Sequence, residues 1–163
     1  MRTLKPSRIV EVLTAGVLGG IAGGAAEIGW IGFYGAATGT PLDPVARGIV
    51  VSVFPALAAS EWATEYGVLI HLGLAVALGI GLALAVSLLL RRLRDGLSEF
   101  ALPMLVLMAV WAVNFLLVLP HINPAFVHLL PYGATLFSKL LFGFAAASTF
   151  SAYRMHRQRI SGR

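Results

Sequence analysis

Six side chains able to do chemistry are spread along this sequence: Glu27, His71, Asn114, His121, His128 and Lys139. All lie within or beside long apolar stretches. An ionisable group in such a stretch costs about 2.5–3.5 kcal/mol on insertion scales, so each needs a partner or a task. Three chemistries suit these residue types. Glu27 and Lys139 carry opposite charges and can neutralise one another as a buried ion pair, with Asn114 and Thr135 adding hydrogen bonds. Histidine and glutamate are good ligands for Zn, Fe or Cu. That makes Glu27, His71 and His121 the candidate metal ligands, and His71 with His121 could bracket one haem. A carboxylate inside a span can also relay protons, with Lys139 tuning its affinity.

Spacing supports none of the motif-bound chemistries. The sequence has no H-E-x-x-H, no E-x-x-H, no Walker loop, no dinucleotide fingerprint and no G-x-S-x-G. His121 and His128 are seven apart, but Pro124 lies between them and denies an intact helix. Ser138 adjoins Lys139, yet adjacent helical residues face different directions, so a Ser-Lys dyad is not expected. There is no cysteine, which excludes thiol redox catalysis, thiolate metal sites, disulfides and c-type haem attachment. The reading is non-enzymatic, with no cofactor assigned and a metal or haem kept as an alternative.

Helices in a bilayer must position these groups. Of 163 residues 58% are hydrophobic and 12% charged, and mean hydropathy is +0.87. Soluble domains carry about 25% charged residues, so this chain reads as an integral membrane protein. Four stretches reach the roughly 20 residues that cross the hydrocarbon: 9–37, 66–90, 100–119 and 132–153. The opening "MRTLKPSRIVEVL" is expected to belong to a retained helix rather than a signal peptide, because its apolar stretch is too long and contains Glu11 and Glu27. The expected fold is an all-α, four-transmembrane-helix bundle forming one domain over 1–163.

Charge bias sets the expected orientation. Arg2, Lys5 and Arg8 precede the first span, Arg91, Arg92 and Arg94 separate the second from the third, and Arg154, Arg157, Arg159 and Arg163 follow the fourth. The positive-inside rule puts both termini and the 91–98 loop in the cytoplasm. The basic residues are thus topogenic, and no nucleic-acid partner is implied. Segment 44–60, "PVARGIVVSVFPALAAS", is apolar but short and contains Pro55. A crossing there would invert everything downstream, so it is expected to be a short interfacial or re-entrant helix in the first outer loop. The outer loops end in "EYG" and "PYG", a weak hint of an internal repeat.

Close packing is written in the first span. Gly16, Gly20 and Gly24 form overlapping G-x-x-x-G steps, and Gly16, Gly20, Gly23 and Glu27 fall on one helical stripe. Glu27 should therefore face the bundle or a partner, about 6–10 Å below the outer boundary at 1.5 Å per residue. His71, Asn114 and Lys139 come to a similar depth. Asn114 and His121 share a face at i, i+7, and His128 overhangs from "LPHINPAFVHLLPYG" (119–133). In that loop Pro120 should close the third span, Pro124 interrupt any helix, and Pro131 open the fourth.

A carboxylate in a glycine-rich first helix of a four-span chain is similar to the small multidrug exporters, which implies proton-coupled transport at Glu27. This chain departs from them in its greater length, its extra outer segment and its strong charge bias. The leading expectation is a small multi-pass inner-membrane protein that serves as a non-enzymatic accessory or assembly subunit beside other membrane subunits, or as a homo-oligomer. The alternative is a small transporter, or a metal- or haem-handling protein, that uses the outer Glu/His/Lys cluster.

Overall fold

The computed structural model describes residues 6–89 and 96–161. It is all-helical among the described residues. Helix α1 (Pro6–Thr38) is followed by the short α2 (Asp43–Val53), a 3₁₀ turn (Pro55–Leu57) and α3 (Ala63–Leu89). Then come α4 (Gly96–Val113), a π-helical turn (Asn114–Val118), α5 (Leu119–Ile122), a second 3₁₀ turn (Phe126–His128) and α6 (Tyr132–Ser161). Four stretches are long and apolar enough to cross a membrane: Arg8–Thr38, Ala63–Leu88, Glu99–Ile122 and Tyr132–Arg159. Only 22% of the most apolar window is buried in the second and third of these, so their large side chains face outward, as lipid contact requires. Residues 91–95, which hold the middle basic cluster, lie outside the described residues, as do Arg2, Lys5 and Arg163.

Local chemistry explains the boundaries. Pro6 opens α1, where a missing N–H costs nothing. Gly39 follows its end at φ +72°, the left-handed conformation that favours glycine after a helix. Pro44 sits in the first turn of α2, and the helix stops before Pro55, whose ring disfavours helical geometry at Phe54. At 11 residues α2 is about 16 Å long, half of what a crossing needs. Its first carboxylate ties it to α3: Asp43 accepts from Thr64 Oγ1 and, at 2.9 Å, from Arg47 Nε. The Thr64 hydroxyl and then Arg47 hold the Asp43 carboxyl below the usual carboxylate range.

Packing order around the bundle is α3, α1, α6, α4, with α2 on α3. Helices α3 and α4 scarcely touch, leaving a gap between them. Helix α1 is central, and its glycines serve two neighbours rather than one. A Cβ on Gly16 would stand 2.6 Å from the Ile80 backbone, and one on Gly20 2.6 Å from that of Val76. Gly24 meets the Ala75 methyl of the same helix. Gly19 and Gly23 instead face the rings of Phe150 and Phe142 on α6. The single stripe expected from Gly16 to Glu27 therefore splits, because Gly23 is three residues beyond Gly20 and turns towards α6. Phe142 and Leu107 are fully buried and anchor the core with Leu82 and Ala146.

The third span also differs from expectation. Pro120 does not close it, since helix continues to Ile122. Pro120 has no N–H to give the Leu116 carbonyl, and its ring crowds that carbonyl. The widened turn absorbs the conflict, with the Leu119 N–H bonding back five residues to Asn114 O. This inserted turn rotates Asn114 and His121 apart, so the seven-residue spacing no longer shares a face. The two loop endings are not equivalent either. Gly67 lies against the Ala46 backbone, whereas Gly133 faces open space.

One end of the bundle gathers the chain's basic helix ends. Arg157 on α6 bonds Glu11 on α1 at 2.6 Å, and Arg154 bonds Glu99 on α4 at 2.5 Å. The start of α1, the start of α4 and the end of α6 are thus neighbours. The other end carries α2 and the 123–131 loop.

Candidate functional site

Towards the α2 end, the bundle holds a cavity of about 510 Å³. Its wall is mainly aliphatic, contributed by α1, α2, α3, the π turn, the 123–131 loop and α6. Glu27, His71 and Lys139 lie in this wall and are the titratable groups that line it. They come from three helices. Glu27 is 3% exposed, and its Oε1 is 2.6 Å from Lys139 Nζ. Its Oε2 is 3.4 Å from His71 Nε2. That separation is within ion-pair reach, but the alignment is poor. His71 Nε2 is buried and has no hydrogen-bond partner among the described residues.

A buried carboxylate is tolerable here because it is compensated at once by a cation. Ser138 Oγ lies 3.3 Å from Glu27 Oε1 and 2.9 Å from the Thr135 carbonyl. One hydroxyl proton serves one of these acceptors at a time, and the carbonyl is nearer. Adjacent residues Ser138 and Lys139 therefore both approach Glu27 Oε1, although a 100° step separates them on the helix. Asn114 lines the cavity from the π turn.

Two tryptophans fix the helix that carries Lys139. Trp30 Nε1 donates to the Ala134 carbonyl at 2.9 Å, and Trp111 Nε1 donates to Thr135 Oγ1 at 3.0 Å. Both bonds land on the first turn of α6, one turn before Lys139. Trp111 also stacks on Phe115 with centroids 5.7 Å apart. Neither indole carries a sequence signal for this task, because each partner is more than 20 residues away.

The 123–131 loop covers the cavity. Phe126, Leu129 and Leu130 contribute to its wall. Buried Asn123 straps the loop to α2, its Nδ2 donating to Gly48 O at 3.1 Å and Ser52 Oγ at 3.0 Å. Asn123 was visible in the sequence only as a polar residue before a proline. His121 and His128 do not join the cluster. His121 is exposed and donates its Nδ1 proton to Leu117 O at 2.6 Å, and His128 is exposed at the end of the 3₁₀ turn.

Of the candidate metal ligands, then, Glu27 and His71 meet and His121 stays outside the cavity. Among the described residues no three His, Asp or Glu side chains gather. What the site offers is a charge pair with an uncommitted imidazole, at the polar end of an apolar chamber. No family model matches the chain, and neither a curated protein nor a solved structure matches it.

Proposed function

We propose that this protein is a small non-enzymatic carrier of the inner membrane, which takes a lipophilic molecule from the bilayer into its cavity. The observation that carries this reading is the half-open aliphatic chamber of about 510 Å³ with Glu27, Lys139 and His71 at one end. Ligand pockets are typically apolar chambers of about 300–1,000 Å³ with a few convergent polar groups. Leu74 on α3 and Ile122 on α5 line the chamber and are 50% and 56% exposed. Access is therefore lateral, through the gap between α3 and the third span. With both termini cytoplasmic under the positive-inside rule, the chamber sits in the outer half, and α2 is its interfacial rim.

The glycine faces of the first span could instead have served a partner, as an accessory role beside a larger complex would require. Those faces are filled by α3 and α6 within the chain, so the cavity is the stronger basis for a function.

Gly32 gives a clean test. It lines the chamber, and a Cβ built there meets nothing within 4 Å. Gly32→Phe should fill the chamber while leaving the helices packed. Native mass spectrometry of protein purified in mild detergent should show a bound lipophile on the wild type and bare Gly32→Phe. Bare masses for both would reject the carrier, and a stable complex with other subunits would restore the accessory reading.

A further inference from the structure

Charge balance within the chamber points to the chemical class of its occupant. We infer that the chamber binds a long-chain carboxylic acid, with the proton passing to His71 and the carboxylate to Lys139. This inference rests on the carrier reading above and adds the ligand to it.

The chamber begins with one negative and one positive group, Glu27 and Lys139, held 2.6 Å apart. A second ion of either sign must be compensated, because burying an unpaired charge costs several kcal/mol or more. For a cationic amphiphile the compensation would be loss of the Lys139 proton, which an alkylammonium yields only well above neutral pH. An anion requires gain of a proton instead, and an imidazole accepts one near neutrality. His71 is placed to do so. Its buried Nε2 has no hydrogen-bond partner among the described residues and faces Glu27 Oε2 at 3.4 Å. Besides Glu27, the one other titratable group among the described residues lining the chamber with it is Lys139. Helix α1 presents Glu27 and α6 presents Lys139, while α2, the π turn and the covering loop line the chamber with untitratable side chains.

A carboxylic acid brings its own proton. It can leave the bilayer as the neutral acid, so no bare charge crosses hydrocarbon. In the chamber the O–H proton moves to His71 Nε2, forming an imidazolium beside Glu27 Oε2. Lys139 is then released from sole duty to Glu27 and pairs with the new carboxylate, since an ammonium has three N–H donors and Glu27 uses one. The bound state holds two positive and two negative groups, so net charge is unchanged. Asn114 lines the same space and supplies a further N–H. The alkyl chain lies along Leu78, Leu74 and Ile122 and leaves through the open side.

The test compares three probes that share one tail: dibromostearate, dibromostearyl alcohol and dibromostearylamine. Protein in lipid nanodiscs is titrated with each, and quenching of tryptophan fluorescence that unlabelled stearate reverses is read as specific binding. Trp111 stacks on Phe115 in the chamber wall and is the reporter. Dibromostearate should bind at least about tenfold more tightly than the alcohol or the amine. In weak buffer near neutral pH, an indicator dye should record proton uptake when pre-ionised stearate is added. His71→Gln should remove that uptake and the preference for the acid. Saturable binding with equal affinity for all three probes, or a preference for the amine, overturns the acid and leaves the carrier standing. Absence of reversible quenching by every probe overturns both. If His71→Gln fails to fold, the comparison of probes on the wild type decides alone.

Discussion

Glu27 is the residue on which the site turns. Its carboxylate is almost wholly removed from solvent yet keeps Lys139 at 2.6 Å. In such a pair the partners are worth less together than either costs alone, since removing one leaves the other buried and uncompensated, at about 3–5 kcal/mol. Glu27→Gln should therefore destabilise the bundle by an amount of that order, read as a lower midpoint of thermal unfolding in detergent. Lys139→Met alone should behave similarly. The double substitution should recover part of the loss, because two neutral side chains no longer strand a charge. Additive losses would refute the coupling between them. The pair was legible in the sequence, since two opposite charges at equal depth in apolar stretches have few other ways to be buried. His71 was legible for the same reason. Ser138 was not, because its access to Glu27 depends on the carboxylate lying between the directions of two adjacent residues, which helical spacing alone disfavours. Nor was the isolation of His121, which follows from one π turn forced by Pro120.

Among the elements, α1 shows how small residues become architecture. Gly16 and Gly20 let the backbones of α1 and α3 meet, and Gly79 returns the contact from α3 against Gly20. An added methyl there cannot be absorbed by a rotamer change, because what it strikes is main chain. Gly20→Ala should push α1 from α3 and destabilise the bundle by about 1–3 kcal/mol, the usual cost of overpacking. Gly73, on α3, has nothing within 4 Å of a built Cβ. Gly73→Ala should be neutral or slightly stabilising, because alanine is the better helix former by about 1 kcal/mol. Equal losses for the two would mean that the close approach is not where the stability lies. Both sites read alike in the sequence as glycines in a transmembrane stretch. The G-x-x-x-G spacing singled out Gly16, Gly20 and Gly24 as a packing face. It could not say that Gly23 serves a different neighbour, because that depends on which helices stand on either side of α1.

For the whole molecule, the distribution of charge and the placement of the cavity argue together. The α1 start, α4 start and α6 end are gathered at one end, which puts Arg8, Arg154, Arg157 and Arg159 on a single side. That side is the cytoplasm if positive residues are retained where they are made. On that proposed orientation the covering loop, α2 and the chamber would belong to the outer half, where a lipophile in the outer leaflet would meet the gap between α3 and the third span. Reporter fusions check this directly. An alkaline phosphatase fusion after Ser60 should be active, as that enzyme folds only outside the cytoplasm, and a fusion after Asp95 or at the C-terminus should be inactive. The opposite pattern at all three positions would invert the protein and place the chamber in the inner leaflet, reversing the direction of loading. A crossing by α2 would give the same three readings with the N-terminus still cytoplasmic, so an accessibility tag ahead of α1 separates that outcome, which removes the four-span topology, from inversion. That outcome is opposed by length, because 11 helical residues followed by Pro55 fall short of the hydrocarbon thickness by about half. The same shortness lets α2 lie against α3 as the rim of the chamber, held there by Asp43 and Thr64 at one end and strapped by Asn123 towards the other.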